Sequence, residues 1–265
     1  MLKISQSQIT EYERCQRLYY LKHIRKLAWP YIAKTSDVTD KGSKFHKLVN
    51  DLYMGIPADM LCRSIDDAVV SDWFYAFCKN NPLQGYKNIA TETERSFVSF
   101  GIIWFGKFDA AAEKNGKLEI FDWKTSKKKR SAAEYLSSPQ TRLYRLIAKE
   151  SSKKLLPEDI SMTYWFPQYP EEPIRLSYST EAYESDLKWL KEKSAGMTAE
   201  EEYCYSKQEN AKICSSCAYS TYCHSAGFCG TPVSEEYDEQ EEDIEDEMFD
   251  MRIMMADFGL ADIMF

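Results

Sequence analysis

The sequence predicts an α/β fold, a mixed central sheet flanked by helices. Three observations lead there. Apolar-rich runs at 103–112 and 117–124 are separated by Glu113-Lys114-Asn115-Gly116, and Asn-Gly is a strong signal for a turn joining antiparallel strands. Helical patterns precede and follow this hairpin, so helices and strands interleave along the chain. The 265 residues, 44% hydrophobic and 14% aromatic, can bury a substantial core and show no internal repeat or interdomain linker before residue 230.

Taken in order, the pattern predicts a helix over 7–26 and further helices within 40–80. Strands follow near 93–100, 102–112 and 117–124, then a helix over 132–150. Inside that helix Ser138-Pro139 reads as an N-cap followed by proline at the first helical position. Strands at 160–166 and near 173–178 and a helix from about 180 to 194 lead into a cysteine cluster. One domain, 1–230, is expected to precede an acidic tail, 231–265.

The chemistry concentrates on the hairpin. Asp109 on its first strand and Asp122 on its second fall near the same end of the sheet, and alternation puts Asp122 and Lys124 on one face. Trp123 then points to the other face, with its backbone carbonyl available as a further ligand. Two carboxylates can hold a divalent cation that polarises a phosphodiester and acidifies a bound water, while an ammonium assists that water. Taken singly, an Asp-x-Lys tripeptide is common on solvated strands.

The ordered set is more specific. Ser5-Gln6-Ser7-Gln8-Ile9 with Tyr12 and Cys15, Gly42-x-x-x-His46, Gly106-x-x-Asp109, Asp122-Trp123-Lys124-Thr125, Gln140-x-x-x-Tyr144 and a late cysteine cluster span residues 5–223. In this order they resemble the PD-(D/E)XK nucleases, within them the RecB-like branch that includes the CRISPR-associated iron-sulfur exonucleases. The resemblance implies a restriction-endonuclease-like core with an iron-sulfur subregion formed by the two ends of the domain. It implies that His46 joins Asp109 and Asp122 as a metal ligand, and that Gln140 and Tyr144 face the active site and the DNA strand. An imidazole ligand suits Mn²⁺ better than Mg²⁺. Without the resemblance, His46 reads as an ordinary helix residue and Gln140 as a solvated position beside the buried stripe Leu143, Leu146 and Ile147. Glu94 is a candidate further carboxylate near the metal, or a surface charge.

Of eight cysteines, Cys15, Cys214, Cys217 and Cys223 match the family's four-thiolate pattern for a [4Fe-4S] cluster. Zinc is the alternative, and Cys229 is a spare for Cys223. Cys62, Cys78 and Cys204 read as plain thiols. No signal peptide precedes the start and no run approaches the ~20 apolar residues of a membrane span, so a reducing, cytoplasmic setting is expected.

A net charge of −8 at first argues against nucleic acid. Residues 234–265, however, hold thirteen acidic side chains and one arginine, leaving 33 basic against 29 acidic residues elsewhere, a net of +4. Lys127, Lys128, Lys129 and Arg130 follow the catalytic strand and either grip phosphates or form a solvated loop. The tail ends Ala261-Asp262-Ile263-Met264-Phe265, similar to the C-terminal peptide of bacterial single-stranded-DNA-binding proteins. It reads as a docking peptide for a helicase, integrase or recombination protein, an internal DNA mimic, or a packed terminal helix. The expected function is a Mg²⁺/Mn²⁺-dependent DNA exonuclease. The rivals are an endonuclease, a helicase-associated nuclease subunit, and a non-catalytic binding module.

Overall fold

In the computed structural model, which describes residues 1–27, 37–126, 128–199, 204–207, 210–215 and 217–223, the chain opens with a strand rather than a helix. Strand β1 (Leu2–Ile4) pairs parallel with residues 102–104. The helix expected over 7–26 is broken. Helix α1 (Gln6–Arg14) starts at Ser5, whose backbone N–H donates to Gln8 Oε1 at 2.8 Å. It stops at Cys15, which is extended (φ −162°, ψ 111°) and whose sulfur accepts the Leu18 N–H at 3.4 Å. That bond caps α2 (Gln16–Tyr19), and a π-helical turn, Tyr20–Ile24, follows. A side-chain cap at a break is invisible to hydrophobic periodicity.

Helices α3 (Asp37–Tyr53), α4 (Ala58–Ser64) and α5 (Ala68–Lys79) lead to an antiparallel meander, β2 (Lys87–Ser99), β3 (Ile102–Lys114) and β4 (Lys117–Trp123). Asn115 and Gly116 have φ of 54° and 76°, the left-handed pair that a two-residue type I′ turn demands, and Phe100-Gly101 repeats it at 52° and 76°. The helix expected over 132–150 is two, α6 (Ala132–Ser137) and α7 (Pro139–Ser151). Pro139 has no N–H to extend the first, and Ser138 before it is extended and caps the second through Thr141 N (3.3 Å). Strands β5 (Ile160–Trp165) and β6 (Ile174–Ser177), helix α8 (Thr180–Met197) and short helices α9 (Ala211–Ser215) and α10 (Ser220–Cys223) complete the described chain.

The described strands form one six-stranded mixed sheet in which β4 and β5 run parallel and the other long pairings are antiparallel. Strand β2 covers one edge of β3 along most of its length. The other edge is shared: β1 pairs with residues 102–104 and β4 with residues 110–114. Residues 105–109 lie between these ladders, where the sheet splits. Helix α7, in the β4-to-β5 crossover, packs on one face with Leu143, Leu146 and Ile147 fully buried. Helices α3 and α5 cover the other face through Phe45, Val49, Trp73 and Phe77 against Ala110, Ala112, Phe121 and Trp123.

The alternation of β3 slips at Asp109. Trp104 and Phe108 share the α7-side core with Ala111, whereas Ala110 and Ala112 face the opposite core. Across the ladder, between Thr91 and Thr93, Glu92 has a φ of 50°. A non-glycine left-handed residue inside a strand marks a local distortion of the pleat.

The two ends of the domain are tied together by ordinary bonds. Arg17 N donates to Ser206 O (3.1 Å), Gln16 Oε1 accepts from Ser206 N (3.2 Å), and Tyr219 OH donates to Leu27 O (2.8 Å). The tail 231–265 and Cys229 lie outside the described residues. Among the described residues, no helix is long and apolar enough to cross a membrane.

Candidate active site

The split in the sheet gathers the predicted catalytic residues. Asp109 precedes the β3–β4 ladder and its Oδ2 accepts the Trp123 N–H at 2.6 Å, so a carboxylate continues the ladder where strand pairing stops. Asp122 lies on β4 with only 4% of its surface exposed, and Lys124 Nζ stands 3.2 Å from its Oδ2. Asp122 and Lys124 face α7, with Trp123 in the opposite core, as strand alternation predicts.

Helix α3 delivers His46, with Phe45 beside it anchoring the helix in the core. His46 Nε2 lies 3.0 Å from the Trp123 carbonyl and Nδ1 lies 3.2 Å from Asp109 Oδ1. Both ring nitrogens thus face oxygen acceptors. A neutral imidazole carries one N–H and donates to one of them, which leaves the other nitrogen a lone pair with which to bind a cation. The Trp123 carbonyl, expected to be available as a ligand, is engaged by His46 here, though it points into the site.

Charge is crowded. Burial raises the Asp122 carboxyl to about 7, with the Lys124 charge opposing and the Asp109 charge reinforcing that rise. Burial also pushes Asp109 up, but the charge and hydrogen bond of His46 and the Trp123 N–H outweigh it and hold Asp109 below the usual carboxylate range. Asp122 Oδ2 is buried, and the partner it has is the Lys124 ammonium at 3.2 Å. A divalent cation among these oxygens and the imidazole fits the donor set.

Helix α7 supports the site from behind. Gln140 Nε2 donates to Asp122 Oδ1 at 2.8 Å, and the Tyr164 hydroxyl, 3.4 Å from Gln140 Oε1, fixes which end of the amide donates. Gln140 is therefore buried rather than solvated. Tyr144 OH donates to the Lys107 carbonyl at 2.9 Å, inside the stretch of β3 between the two ladders. Both side chains of the Gln140-x-x-x-Tyr144 pair reach protein atoms. Gly106 explains its place in the Gly106-x-x-Asp109 motif, because a Cβ there would lie 2.7 Å from the Tyr144 ring.

Glu94 is elsewhere. It is exposed and pairs with Lys3 at 3.2 Å on the β1 side of the sheet. The carboxylate that does approach the site is Glu92, which the sequence reading passed over. Ligand atoms of His46, Glu92 and Asp109 all lie within 4.8 Å of one another, and Glu92 also pairs with Lys107. Its two-residue spacing from Glu94 is the only local signal, and the pleat distortion at Glu92 cannot be read from composition. In the basic run, Lys129 is held by Glu172 (3.0 Å) and lies over the Phe166 ring, while the Arg130 charge acts on Glu134. Lys128 accepts through its carbonyl from Ser126 Oγ (3.2 Å), and Lys127 lies outside the described residues.

Cys15, Cys214, Cys217 and Cys223 line one common pocket and are partly buried, whereas Cys62, Cys78 and Cys204 are exposed. The four sulfurs do not close into a tight cage. Among the described residues, the His46, Glu92 and Asp109 set is the one in which three such ligand atoms come within 4.8 Å.

The sequence profile of the PD-(D/E)XK nuclease superfamily matches residues 3–224. The chain belongs to this superfamily. Its members are metal-dependent nucleases, and the mixed sheet flanked by helices agrees with their restriction-endonuclease-like core. Among solved structures, a protein from Eubacterium rectale assigned as an exonuclease is similar at a TM-score of 0.51 and 12% identity, over 88% of this chain and 91% of that one. The structure of SSO0001 is similar at a TM-score of 0.40 and 14% identity, over 85% and 87% of the two chains. No curated protein matches this chain.

Proposed function

We propose that this PD-(D/E)XK protein is a Mg²⁺- or Mn²⁺-dependent DNA exonuclease of the RecB-like type, acting in a reducing cytoplasm. The observation that carries the metal reading is the set of His46, Glu92 and Asp109, whose ligand atoms all lie within 4.8 Å of one another, with the Trp123 carbonyl 3.0 Å from the same imidazole. Asp109, Asp122, His46 and the Trp123 carbonyl would hold the ion. Bound there, it supplies charge to a phosphodiester and lowers the pKa of an attacking water.

The chain's own groups do the rest. Lys124, paired with Asp122, orients the attacking water and offsets charge on the phosphate. Gln140, held by Tyr164, keeps Asp122 in one rotamer, and Tyr144 fixes the carbonyl two residues before Asp109. Exonuclease rather than endonuclease action is favoured by the ordered motif set and by the activity assigned to the Eubacterium rectale neighbour.

The proposal includes a structural [4Fe-4S] centre at Cys15, Cys214, Cys217 and Cys223. A tetrahedral zinc needs sulfurs about 3.8 Å apart, given Zn–S bonds near 2.3 Å. One distant cysteine plus a late trio, the pattern of the resemblance, favours a cluster over the two close pairs usual for zinc. Backbone N–H groups already serve two of the sulfurs, Leu18 on Cys15 and Tyr219 on Cys217.

The test compares anaerobically purified wild type with Asp109→Ala and Lys124→Ala on end-labelled linear single strands, linear duplex and closed circles, with Mg²⁺ or Mn²⁺. Degradation of linear DNA alone, lost in both variants, supports the proposal. Cutting of circles makes the protein an endonuclease, and no cleavage by metal-loaded wild type overturns the reading.

A further inference from the structure

The cysteine pocket carries more than thiols. Arg14 and Arg17 line it together with Cys15, Cys214, Cys217 and Cys223, one arginine ending α1 and the other in the first turn of α2. The extended residue that breaks the helix, Cys15, stands between them, so the break sets both arginines beside its sulfur along the same cavity. The Nε atoms of both are buried. Arg17 is steadied over the Tyr20 ring at 5.4 Å, and the Arg14 charge acts on Cys217. A third cation nearby, Lys207, is exposed and bonds the Cys223 carbonyl (2.9 Å) outside the pocket.

Four thiolates bring four negative charges. A [4Fe-4S]²⁺ core and a Zn²⁺ ion each return two, so either centre keeps a net charge of −2 in a partly buried site. Such a charge is costly without compensation. Guanidinium suits the task better than ammonium: it stays charged, is weakly hydrated, and offers planar N–H donors to more than one acceptor.

We propose that Arg14 and Arg17 are the charge-compensating residues of the four-cysteine centre, directing N–H donors at its sulfurs and slowing loss of its metal. This rests on the reading of the four cysteines as a metal centre, but not on whether the metal is iron or zinc. Both arginines line the cysteine pocket, so their effect is read on the centre itself.

The experiment uses full-length protein purified anaerobically as wild type, Arg14→Gln, Arg17→Gln, Arg14→Lys, Arg17→Lys and Cys214→Ala. Iron, acid-labile sulfide and zinc are quantified, and metal loss to excess chelator is followed by absorbance, with helix content checked by circular dichroism. The glutamine variants are expected to weaken metal retention about 10- to 100-fold, the scale of lost supporting contacts around a metal site, with the lysine variants in between. If a glutamine variant fails to fold, the lysine variant of that position decides, because it keeps charge and loses the planar fork. Wild-type retention in the glutamine variants, or in a lysine variant standing in for one, overturns the arginine proposal while leaving the centre intact. Wild type without stoichiometric metal, matching Cys214→Ala, overturns both.

Discussion

In the nuclease cleft Asp109, Asp122, His46 and Gln140 ride on long strands and helices, whereas the cysteine pocket is gathered from residues 15 to 223 by helices of four or five residues. Asp109 and Asp122 sit on adjoining strands with Lys124 directly after the second, and His46 and Gln140 come from helices of 17 and 13 residues packed on the sheet. Strand pairing and helix packing hold these groups in place. The pocket brings its four sulfurs to one cavity without closing around them. In one region the fold positions charge for chemistry; in the other, a metal would complete the fold.

This difference can be broken by experiment. The largest effect is expected from Lys124→Ala or Asp109→Ala, which should lower cleavage about 10²- to 10⁴-fold while leaving helix content and unfolding midpoint near wild type. An unfolding midpoint that falls with activity would show that the cleft is not preorganised.

The terminal region should answer in the opposite sense. Glu11 on α1 is buried and paired with His23 and Lys22. Burial raises its carboxyl, but the His23 hydrogen bond and the two neighbouring charges overcome this and bring it from 4.5 to about 2. Its stabilisation is complete above about pH 4.5 and is lost as pH falls through about 2. The unfolding free energy should drop by on the order of 3 kcal/mol across that window, and Glu11→Gln should flatten the slope. Urea titrations at a series of acidic pH values measure it, and an unchanged slope in the variant would remove Glu11 from the account.

Gly106→Ala sharpens the comparison, because it forces α7 away from the sheet split through the Tyr144 ring. Overpacking of this kind costs about 1–3 kcal/mol, and cleavage should fall along with stability. Smallest is Glu92→Gln, expected to weaken cleft metal affinity about 10-fold at unchanged stability, read by Mn²⁺ titration. No change in affinity would confine Glu92 to its pairing with Lys107.

Much of the cleft was legible because its signals are local. Asn115-Gly116 dictates its turn, strand alternation places Asp122 and Lys124 on one face, and Ser138-Pro139 starts the helix that carries Gln140 and Tyr144. Glu94 and Glu92 were exchanged because the distortion at Glu92 arises from pairing with β3, which neither residue encodes by itself. The helix break at Cys15 was missed for a related reason: the sulfur that caps the next helix is a side-chain acceptor that hydrophobic periodicity does not weigh.

By itself the sequence determined the order of the long strands and the helices between them, the residue types of a metal-dependent nuclease and the placement of Asp109 and Asp122 near one end of a hairpin, because these follow from backbone periodicity and turn chemistry over a few residues. Tertiary structure alone decided that β1 and β4 share one edge of β3, that Gln140 holds Asp122, and that both nitrogens of His46 face oxygen. Those facts depend on packing between elements far apart in the chain, where the close approach of α7 at Gly106 and the burial of charge set distances that no local pattern contains.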